Sequence, residues 1–372
     1  MTPLATFDHI PRTRVVFGNG SLTRLGELAR EHGSKALVVT DSGITQAGHA
    51  ARAIDSLAAA GLQTALFDRV HENPTTRHVD DCVAAARDFG ADLIIGIGGG
   101  SSMDTAKGCN FILTNGGRIQ DYWGVSKATK PMLPLIAIPT TAGTGSECQS
   151  FALISDEVTH VKMACGDPKC APRIALLDPE LTVSMPRLVT VLTGIDAIAH
   201  AIETAVTKKR NAVSLMYSRE AFRLLIEGFE RVLRNPGDIE ARGFMLLGAA
   251  FAGTAIENSM LGAAHSCANP LTANYHIVHG HAVGLMLPHV IHFNAALVEA
   301  ALEYRNLFNG DLAARITSLV IEAGLPSTLA ACGVERGKIP LLAHEAASQW
   351  TAKFNPRDVT EADFVRLYET AM

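Results

Sequence analysis

The pattern of hydrophobic residues changes near residue 185. In the first half, short runs rich in Val, Ile and Leu alternate with amphipathic segments such as residues 46–60 and 79–89. Strands that alternate with helices indicate a parallel sheet with helices on its faces, so we predict a doubly wound α/β domain here. The predicted strands cover residues 35–41, 63–68, 92–98, 133–139 and 173–178.

After residue 185 the strand patterns stop, and long segments rich in Ala, Leu and Ile replace them. Their apolar residues recur with the period of an α-helix. The predicted helices cover residues 189–207, 212–234, 239–256, 311–324 and 340–350. A chain of 372 residues exceeds what one hydrophobic core usually accommodates, so we predict an α/β domain over residues 1–185 and an all-α domain over residues 186–372.

Composition and charge narrow the choice of partners and compartment. The net charge is −5 and the longest basic run is three residues, 208–210, which argues against a nucleic-acid partner. Seven scattered cysteines are typical of reduced thiols. The N-terminus lacks the pattern of a secretory signal, and the longest apolar stretch, residues 245–256, is shorter than a membrane span. We therefore expect a cytoplasmic protein with neither nucleic acid nor membrane as partner.

A glycine turn stands between a predicted strand and helix in residues 93–108. The glycine triplet 98–100 allows a ligand to approach the backbone, and the helix should begin near residue 103 with Ser101 or Ser102 as its N-cap. Free amides at a helix start favour an anion such as a pyrophosphate. The alternative is a tight strand-to-helix turn with no ligand, because the triplet departs from the usual dinucleotide fingerprint.

Two further segments suit a nucleotide at the same edge of the sheet. Residues 139–147, Pro-Thr-Thr-Ala-Gly-Thr-Gly-Ser-Glu, follow a strand with small, hydroxyl-bearing side chains. Asp41 ends another strand, where its carboxylate could accept hydrogen bonds from ribose hydroxyls and would repel a 2′-phosphate. This favours NAD over NADP; an Asx turn with Ser42 and Gly43 is the alternative.

In the second half, an otherwise apolar helix carries Asp196 and His200 on one face, and Glu203 continues the stripe. A charge and an imidazole in such a helix require a partner. Together with His265 and His279, which are 14 residues apart, Asp196 and His200 could supply one carboxylate and three imidazoles to Fe(II) or Zn(II), with one coordination position left open. A hydrogen-bonded Asp–His pair, or a buried histidine with satisfied nitrogens, is the alternative for the helix alone.

Taken in order, these motifs resemble those of the iron-containing (group III) alcohol dehydrogenase family. They are GGGSxxDxAK at 98–107, PTTAGTGSE at 139–147, DxxxH at 196–200, two histidines 14 apart with glycine after the second, and LxLPH at 285–289. The resemblance implies the dehydroquinate synthase-like fold, with an N-terminal Rossmann-like domain, a C-terminal helical domain and an active site in the cleft between them. It also implies a homodimer.

The resemblance implies specific site residues. As metal ligands it implies Asp196, His200, His265 and His279. As cofactor-binding residues it implies Asp41, Asn73, Gly98, Gly99, Gly100, Ser101, Thr140, Thr141 and Lys162.

One position departs from the family pattern. Many members carry a second histidine four residues after the third ligand, proposed as a proton carrier, whereas this chain has Asn269. An amide does not exchange a proton near neutral pH. His276 and His281 are therefore the candidate catalytic proton carriers, and exchange through water on the metal is the alternative.

The resemblance implies a metal-dependent, NAD(H)-linked alcohol dehydrogenase or aldehyde and ketone reductase. Hydride would pass between an alkoxide stabilised by the metal and the nicotinamide ring, with Fe(II) expected as the metal and Zn(II) as the alternative. The rivals within the superfamily are a maleylacetate or keto-acid reductase, a glycerol dehydrogenase and a dehydroquinate synthase. A rival of another class is a non-catalytic protein that binds nucleotide and metal.

Overall fold

The computed structural model describes residues 6–372, which form two compact units. One unit is Ile10–Met185, and the other comprises Pro186–Met372 together with the described residues up to His9. The first unit contains the strands and the second is built of helices.

Parallel strands form the main sheet of the first unit. Among the described residues it has six strands in the order β1-β9-β6-β4-β2-β3, and each neighbouring pair is parallel. A smaller sheet has the order β5-β8-β7. The strands are β1 (Arg14–Phe17), β2 (Lys35–Val39), β3 (Gln63–Phe67), β4 (Leu93–Gly98), β5 (Gly124–Val125), β6 (Leu135–Pro139), β7 (Phe151–Ser155), β8 (Lys162–Gly166) and β9 (Ile174–Leu177).

Helices cover both faces of the main sheet, which explains why its central strands are apolar throughout. Neighbouring residues of a strand point to opposite faces. Leu37 therefore joins a buried cluster with side chains of α4 and α5, whereas Val38 joins a second cluster with side chains of α1 and α3. The helices of this unit are α1 (Leu25–Arg30), α2 (Ser42–Gln46), α3 (His49–Ala59), α4 (Thr76–Phe89) and α5 (Gly100–Asn115).

The strand order places the predicted nucleotide segments at one edge of the sheet. Strand β4 lies between β2 and β6, and all three run in the same direction. Their carboxyl ends therefore lie side by side, with Asp41 just beyond β2, Gly98 at the end of β4 and Thr140 just beyond β6. The chain order reverses between β2 and β4, and ligands of such sheets bind at this switch point.

Helix α6 is the centre of the second unit. It packs against α7, α8 and α10, and most of its residues are buried. The helices of this unit are α6 (Arg187–Val206), α7 (Ala212–Arg234), α8 (Ile239–Asn258), α9 (Ala263–Tyr275), α10 (His279–Asn294), α11 (Val298–Leu307), α12 (Leu312–Glu322), α13 (Ile339–Ser348) and α14 (Glu361–Thr370).

Two of these helices, α6 and α8, are long and apolar enough to cross a membrane. The structure buries 89% and 67% of their most apolar windows, as it would for the core helices of a helical unit. The expected absence of a membrane partner stays a prediction.

The predicted fold class is confirmed, and the differences lie in detail. The predicted helix at 46–60 begins at His49, because Gly48 adopts a left-handed conformation with φ 80°. Helix α5 begins at Gly100 with Gly99 as its N-cap, so the expected serine cap near residue 103 was wrong. Strand β1 and the smaller sheet were not predicted: β1 has four residues of which one is buried, β5 has two residues, and β7 and β8 mix apolar with polar or small residues.

Candidate metal centre and nucleotide site

Helix α6 supplies two buried polar side chains from one face. Asp196 and His200 are four residues apart, and their side chains are 10% and 6% exposed. The Nε2 atom of His200 lies 3.5 Å from Oδ1 of Asp196. The separation of about one helical turn explains this proximity.

The first turns of two other helices bring imidazoles to the same carboxylate. His265 is the third residue of α9, and His279 is the first residue of α10. Their Nε2 atoms lie 3.4 Å and 3.9 Å from Oδ1 of Asp196. The ring of His265 stacks on that of His200 with centroids 4.8 Å apart, and it lies 5.4 Å from that of His279. Three segments distant in sequence therefore converge on one oxygen atom.

Asp196, His265 and His279 form a donor set compact enough for a divalent cation, and His200 lies beside the same carboxylate oxygen. Two ligand atoms bound to one tetrahedral ion at about 2.1 Å lie about 3.4 Å apart, close to the separations seen here. Oδ1 of Asp196 and Nε2 of His265 are buried and make no hydrogen bond of normal geometry with the described residues. Atoms from Asp196, His265 and His279 lie within 4.8 Å of one another. Nitrogen and carboxylate donors suit Fe(II) and Zn(II) alike.

Electrostatics of the cluster favour a negative carboxylate at its centre. Burial alone would raise the pKa of Asp196, but the neighbouring His200, His265 and His279 hold that pKa well below its usual value. Burial lowers the pKa of His265, whereas the carboxylates of Glu203 and Asp196 more than offset this and raise the pKa to about 9. Charged imidazoles thus compensate the buried carboxylate in the metal-free protein, and a bound cation would replace them in this role.

Close packing of α10 on α6 sets the position of His279. A Cβ atom on the next residue, Gly280, would lie 2.0 Å from the carbonyl oxygen of Leu192 and 3.4 Å from Cβ of Asp196. Only glycine allows the two backbones to approach this closely.

The two candidate proton carriers occupy different surroundings. His276 is exposed and ends α9 in a left-handed conformation with φ 55°. His281 is buried, and its Nε2 lies 2.7 Å from the carbonyl oxygen of Pro326. Asn269 donates a hydrogen bond from Nδ2 to Oε1 of Gln349 at 2.9 Å. The catalytic roles of the two histidines stay predictions.

In the first unit, the glycine turn adopts a conformation that needs glycine. Gly98 has φ 146°, and a Cβ atom there would lie 2.4 Å from Oγ of Ser102. Positive φ and close approach both exclude other residues at this position. The first turn of α5, which includes Gly100 and Ser101, follows directly, and the amides of a helix start favour an anion.

The segment after β6 packs against this turn. The amide of Thr140 donates to the carbonyl oxygen of Gly98 at 2.9 Å. A Cβ atom on Gly99 would lie 3.4 Å from Cγ2 of Thr141, and one on Gly100 would lie 2.8 Å from Cγ2 of Thr144. The structure therefore brings the two predicted nucleotide segments together.

Asp41 has a structural partner at this edge as well. Its Oδ1 accepts from the amide of Ile44 at 3.0 Å and caps α2. Its Oδ2 lies 3.4 Å from the position of a Cβ on Gly98. The carboxylate thus serves as a helix cap and also lies beside the glycine turn.

The remaining cofactor candidates lie near the smaller sheet. Lys162 begins β8 and pairs with Ser155 of β7, whose amide donates to the carbonyl oxygen of Pro74. Asn73 precedes that proline and is exposed with φ 52°. These two residues therefore flank Ser155, and their part in cofactor binding stays a prediction.

A buried charge network supports the nucleotide segments. Lys107 is fully buried, and its Nζ donates to the carbonyl oxygen and Oγ of Ser146 and to the carbonyl oxygen of Phe151. Oγ of Ser146 in turn donates to Oδ1 of Asp104 at 2.8 Å. The GGGSxxDxAK motif contains both charged residues, but their partners become visible only when α5 meets the segment after β6.

Comparison with known proteins decides the family. A model described as "Iron-containing alcohol dehydrogenase" matches residues 11–179, and one described as "Fe-containing alcohol dehydrogenase family, C-terminal" matches residues 190–372. The chain belongs to the iron-containing alcohol dehydrogenase family. This confirms the predicted family and the expectation that the chain is an enzyme of the alcohol dehydrogenase type.

Several relatives match the chain along nearly its whole length. It is 35% identical to the NAD-dependent methanol dehydrogenase of Bacillus methanolicus, with 96% of this chain and 97% of the relative covered. It is 34% identical to the lactaldehyde reductase of Escherichia coli K12, with 95% and 97% covered. The crystal structure of a 1,3-propanediol oxidoreductase superposes with a TM-score of 0.95 at 30% identity, covering 99% and 100% of the two chains.

A glycine substitution tests the packing beside His279. In Gly280→Ala the new methyl group would push α10 away from Leu192. We expect the free energy of unfolding to fall by roughly 1–3 kcal/mol, and the affinity for Zn²⁺ to fall with it. Urea unfolding and Zn²⁺ titration measure both. Gly337→Ala, where a Cβ would meet no atom within 4 Å, should match the wild type; equal behaviour of the two variants would contradict the packing argument.

A buried glutamate beside the nucleotide segment gives a pH test. Burial raises the pKa of Glu147 from 4.5 to about 7, and its Oε1 lacks a hydrogen-bond partner among the described residues. The folded chain thus holds an extra proton between about pH 4.5 and 7, so stability should fall as pH rises through this window. The full loss is on the order of 3 kcal/mol.

In Glu147→Gln this loss disappears. We expect the variant and the wild type to unfold with similar free energies at pH 5, and the variant to be the more stable at pH 8. Urea unfolding at the two pH values measures the difference. Glu157→Gln, at an exposed position of the same unit, should keep the wild-type pH dependence.

Proposed function

We propose that the chain is a metal-dependent, NAD(H)-linked dehydrogenase that interconverts small alcohols with their aldehydes or ketones. The convergence of one buried carboxylate and three imidazoles on a single point carries the proposal. The glycine turn at the switch point of the parallel sheet supplies the complementary requirement, a place for a dinucleotide.

Asp196, His200, His265 and His279 would hold the metal. When bound, a divalent ion supplies a Lewis acid that polarises a carbonyl oxygen or lowers the pKa of an alcohol. Iron is our first choice because of the family, and zinc is the alternative, since the donor set contains no thiolate that would select between them. The chain's part is to keep the donor atoms fixed, with the apolar side chains of α6 excluding water around them.

The first unit would hold the dinucleotide at the carboxyl edge of its main sheet. Amides at the start of α5 would face the pyrophosphate, with Thr140 and Thr141 packed against the same turn. Asp41 would accept from ribose hydroxyls and repel a 2′-phosphate, which selects NAD. Of the two candidate proton carriers, His276 has the better support, because it is exposed to water, whereas His281 is engaged with Pro326.

The names of relatives support small alcohols and aldehydes as substrates. Methanol, lactaldehyde and 1,3-propanediol appear in three of them. A metal-independent reductase has less support, because the full donor set is present. We also propose a cytoplasmic homodimer, on the resemblance and the reduced cysteines alone.

Removal of a donor tests the metal and the reaction together. We expect Asp196→Ala and His265→Ala to be purified without stoichiometric iron or zinc. Their NAD-linked oxidation of small alcohols should fall more than about 100-fold, since even partners of metal ligands are worth 10–100-fold. Elemental analysis and NADH absorbance measure the two effects. His344→Ala, an exposed histidine paired with Glu361, is the matched control and should keep metal and activity.

Full activity of either donor variant without metal would overturn the assignment. A wild-type protein that binds metal and NAD, yet turns over no alcohol, aldehyde or keto acid, would favour the non-catalytic alternative.

Substitution of Asp41 tests the choice of dinucleotide. Asp41→Asn keeps an oxygen that caps α2 but removes the negative charge. We expect the ratio of kcat/KM for NAD⁺ to that for NADP⁺ to fall at least about tenfold, which corresponds to about 1.4 kcal/mol of lost repulsion. Initial rates with each cofactor measure the ratio. An unchanged ratio would leave the carboxylate only its role as a helix cap.

A further inference from the structure

Glu203 lies one turn beyond His200 on α6 and contacts His265. Its carboxylate is 4% exposed, and Oε2 lies 2.5 Å from Nδ1 of the His265 ring. Its other oxygen, Oε1, accepts from the amide of Ala264 at 2.8 Å. One buried carboxylate therefore contacts both the backbone and the side chain at the start of α9.

The contact determines which nitrogen of His265 carries the proton. An ionised carboxylate has no proton to donate, so Nδ1 must be the donor in this pair. A neutral imidazole then presents a lone pair at Nε2, the nitrogen that lies 3.4 Å from Oδ1 of Asp196. Partners of this kind orient metal-binding histidines and raise their basicity.

The start of α9 is built around this carboxylate. A Cβ atom on Gly262 would lie 3.0 Å from Oε1 of Glu203 and equally close to Oδ1 of Asn355. Oδ1 of Asn355 also accepts from the amide of Ala263 at 3.3 Å. Asn355 is itself held by a pair of hydrogen bonds with Asn294. The helix start therefore has two acceptors, of which only Glu203 touches the imidazole.

We propose that Glu203 is a positioning residue of the metal centre: its carboxylate holds His265 as the Nδ1–H tautomer and aims Nε2 at the metal. It does not ligate the ion. The inference rests on the proposed metal site, because it concerns the orientation of one of the four donors. Helix α6 then supplies two donors and the partner of a third from positions 196, 200 and 203 of a single face.

Glu203→Gln separates this role from a purely structural one. Glutamine offers one acceptor, whereas the metal-bound form needs two, for Nδ1–H of His265 and for the amide of Ala264. Without metal, the glutamine can accept from the amide and donate to Nδ1, because the ring is then free to carry its proton on Nε2. The metal-free protein thus loses the charge of the Glu203–His265 pair but keeps both hydrogen bonds, whereas the metal-bound protein also loses an acceptor.

We expect Zn²⁺ alone, titrated against a chromophoric chelator, to bind Glu203→Gln with 10–100-fold lower affinity than wild type. The free energy of unfolding in the presence of EDTA should fall about as much as in a variant that loses another buried charged pair, Glu303→Gln. Glu203→Asp keeps two acceptor oxygens on a shorter side chain, so its affinity should lie between those of the wild type and Glu203→Gln.

Two control variants each remove a group that shares one feature with Glu203, either its buried charge or its place at the start of α9. Glu303→Gln removes a buried carboxylate that pairs with Arg219, and Asn355→Ala removes the other acceptor at the start of α9. Both should lower the stability of the protein and change the Zn²⁺ affinity less than threefold.

Equal Zn²⁺ affinity in the wild type and Glu203→Gln would overturn the inference. So would a loss of affinity in Glu203→Gln matched by an equal loss in Asn355→Ala, because the effect would then belong to the helix start in general. If the wild type binds no Zn²⁺, the proposed metal site itself fails, which is a distinguishable result.

Discussion

A buried carboxylate is the constraint on which the helical unit depends. Asp196 lies on a helix whose neighbours are apolar and enclosed, and removal of a charge from water costs several kcal/mol unless partners compensate. Compensation comes from His200 on the same helix and from the imidazoles carried on the first turns of α9 and α10. Helix starts also carry partial positive charge, so the arrangement that gathers the donors stabilises the carboxylate as well. The same arrangement of three helices therefore buries the apolar side chains, compensates the carboxylate and brings the candidate metal donors together.

Local patterns were enough to predict much of the fold. The apolar runs of β2, β4 and β6 reflect a sheet covered on both faces, and the period of α6 placed Asp196 and His200 on one side. Helices α9 and α10 were harder to predict, because each contains a proline, Pro270 or Pro288, which usually ends a helix. The residues themselves allowed only the suggestion that His265 and His279 meet α6; the resemblance named them, and the structure shows the distances.

Partners of charged groups were the least predictable part. Glu203 was visible as one more polar residue on the face of α6, but its contact with His265 depends on a rotamer and on the approach of α9. Lys107 is similar, since its acceptors belong to Ser146, in the segment after β6, and to Phe151, at the start of β7. Such contacts form between residues about 40 to 60 positions apart, and periodicity carries no information about them. His281, in turn, resembled a proton carrier in sequence, yet its ring is engaged with a backbone carbonyl.

All four candidate donors belong to Pro186–Met372, and none comes from the α/β unit. Their separations are therefore fixed by how three helices of a single body pack against one another. An ion held there acts as a ligand of that body's folded state and, by mass action, resists its unfolding in proportion to the logarithm of the free metal concentration. Depletion of metal inside a cell would thus destabilise the helical unit and also abolish the chemistry of the metal. Loss of the ion would then be followed by unfolding and loss of the protein.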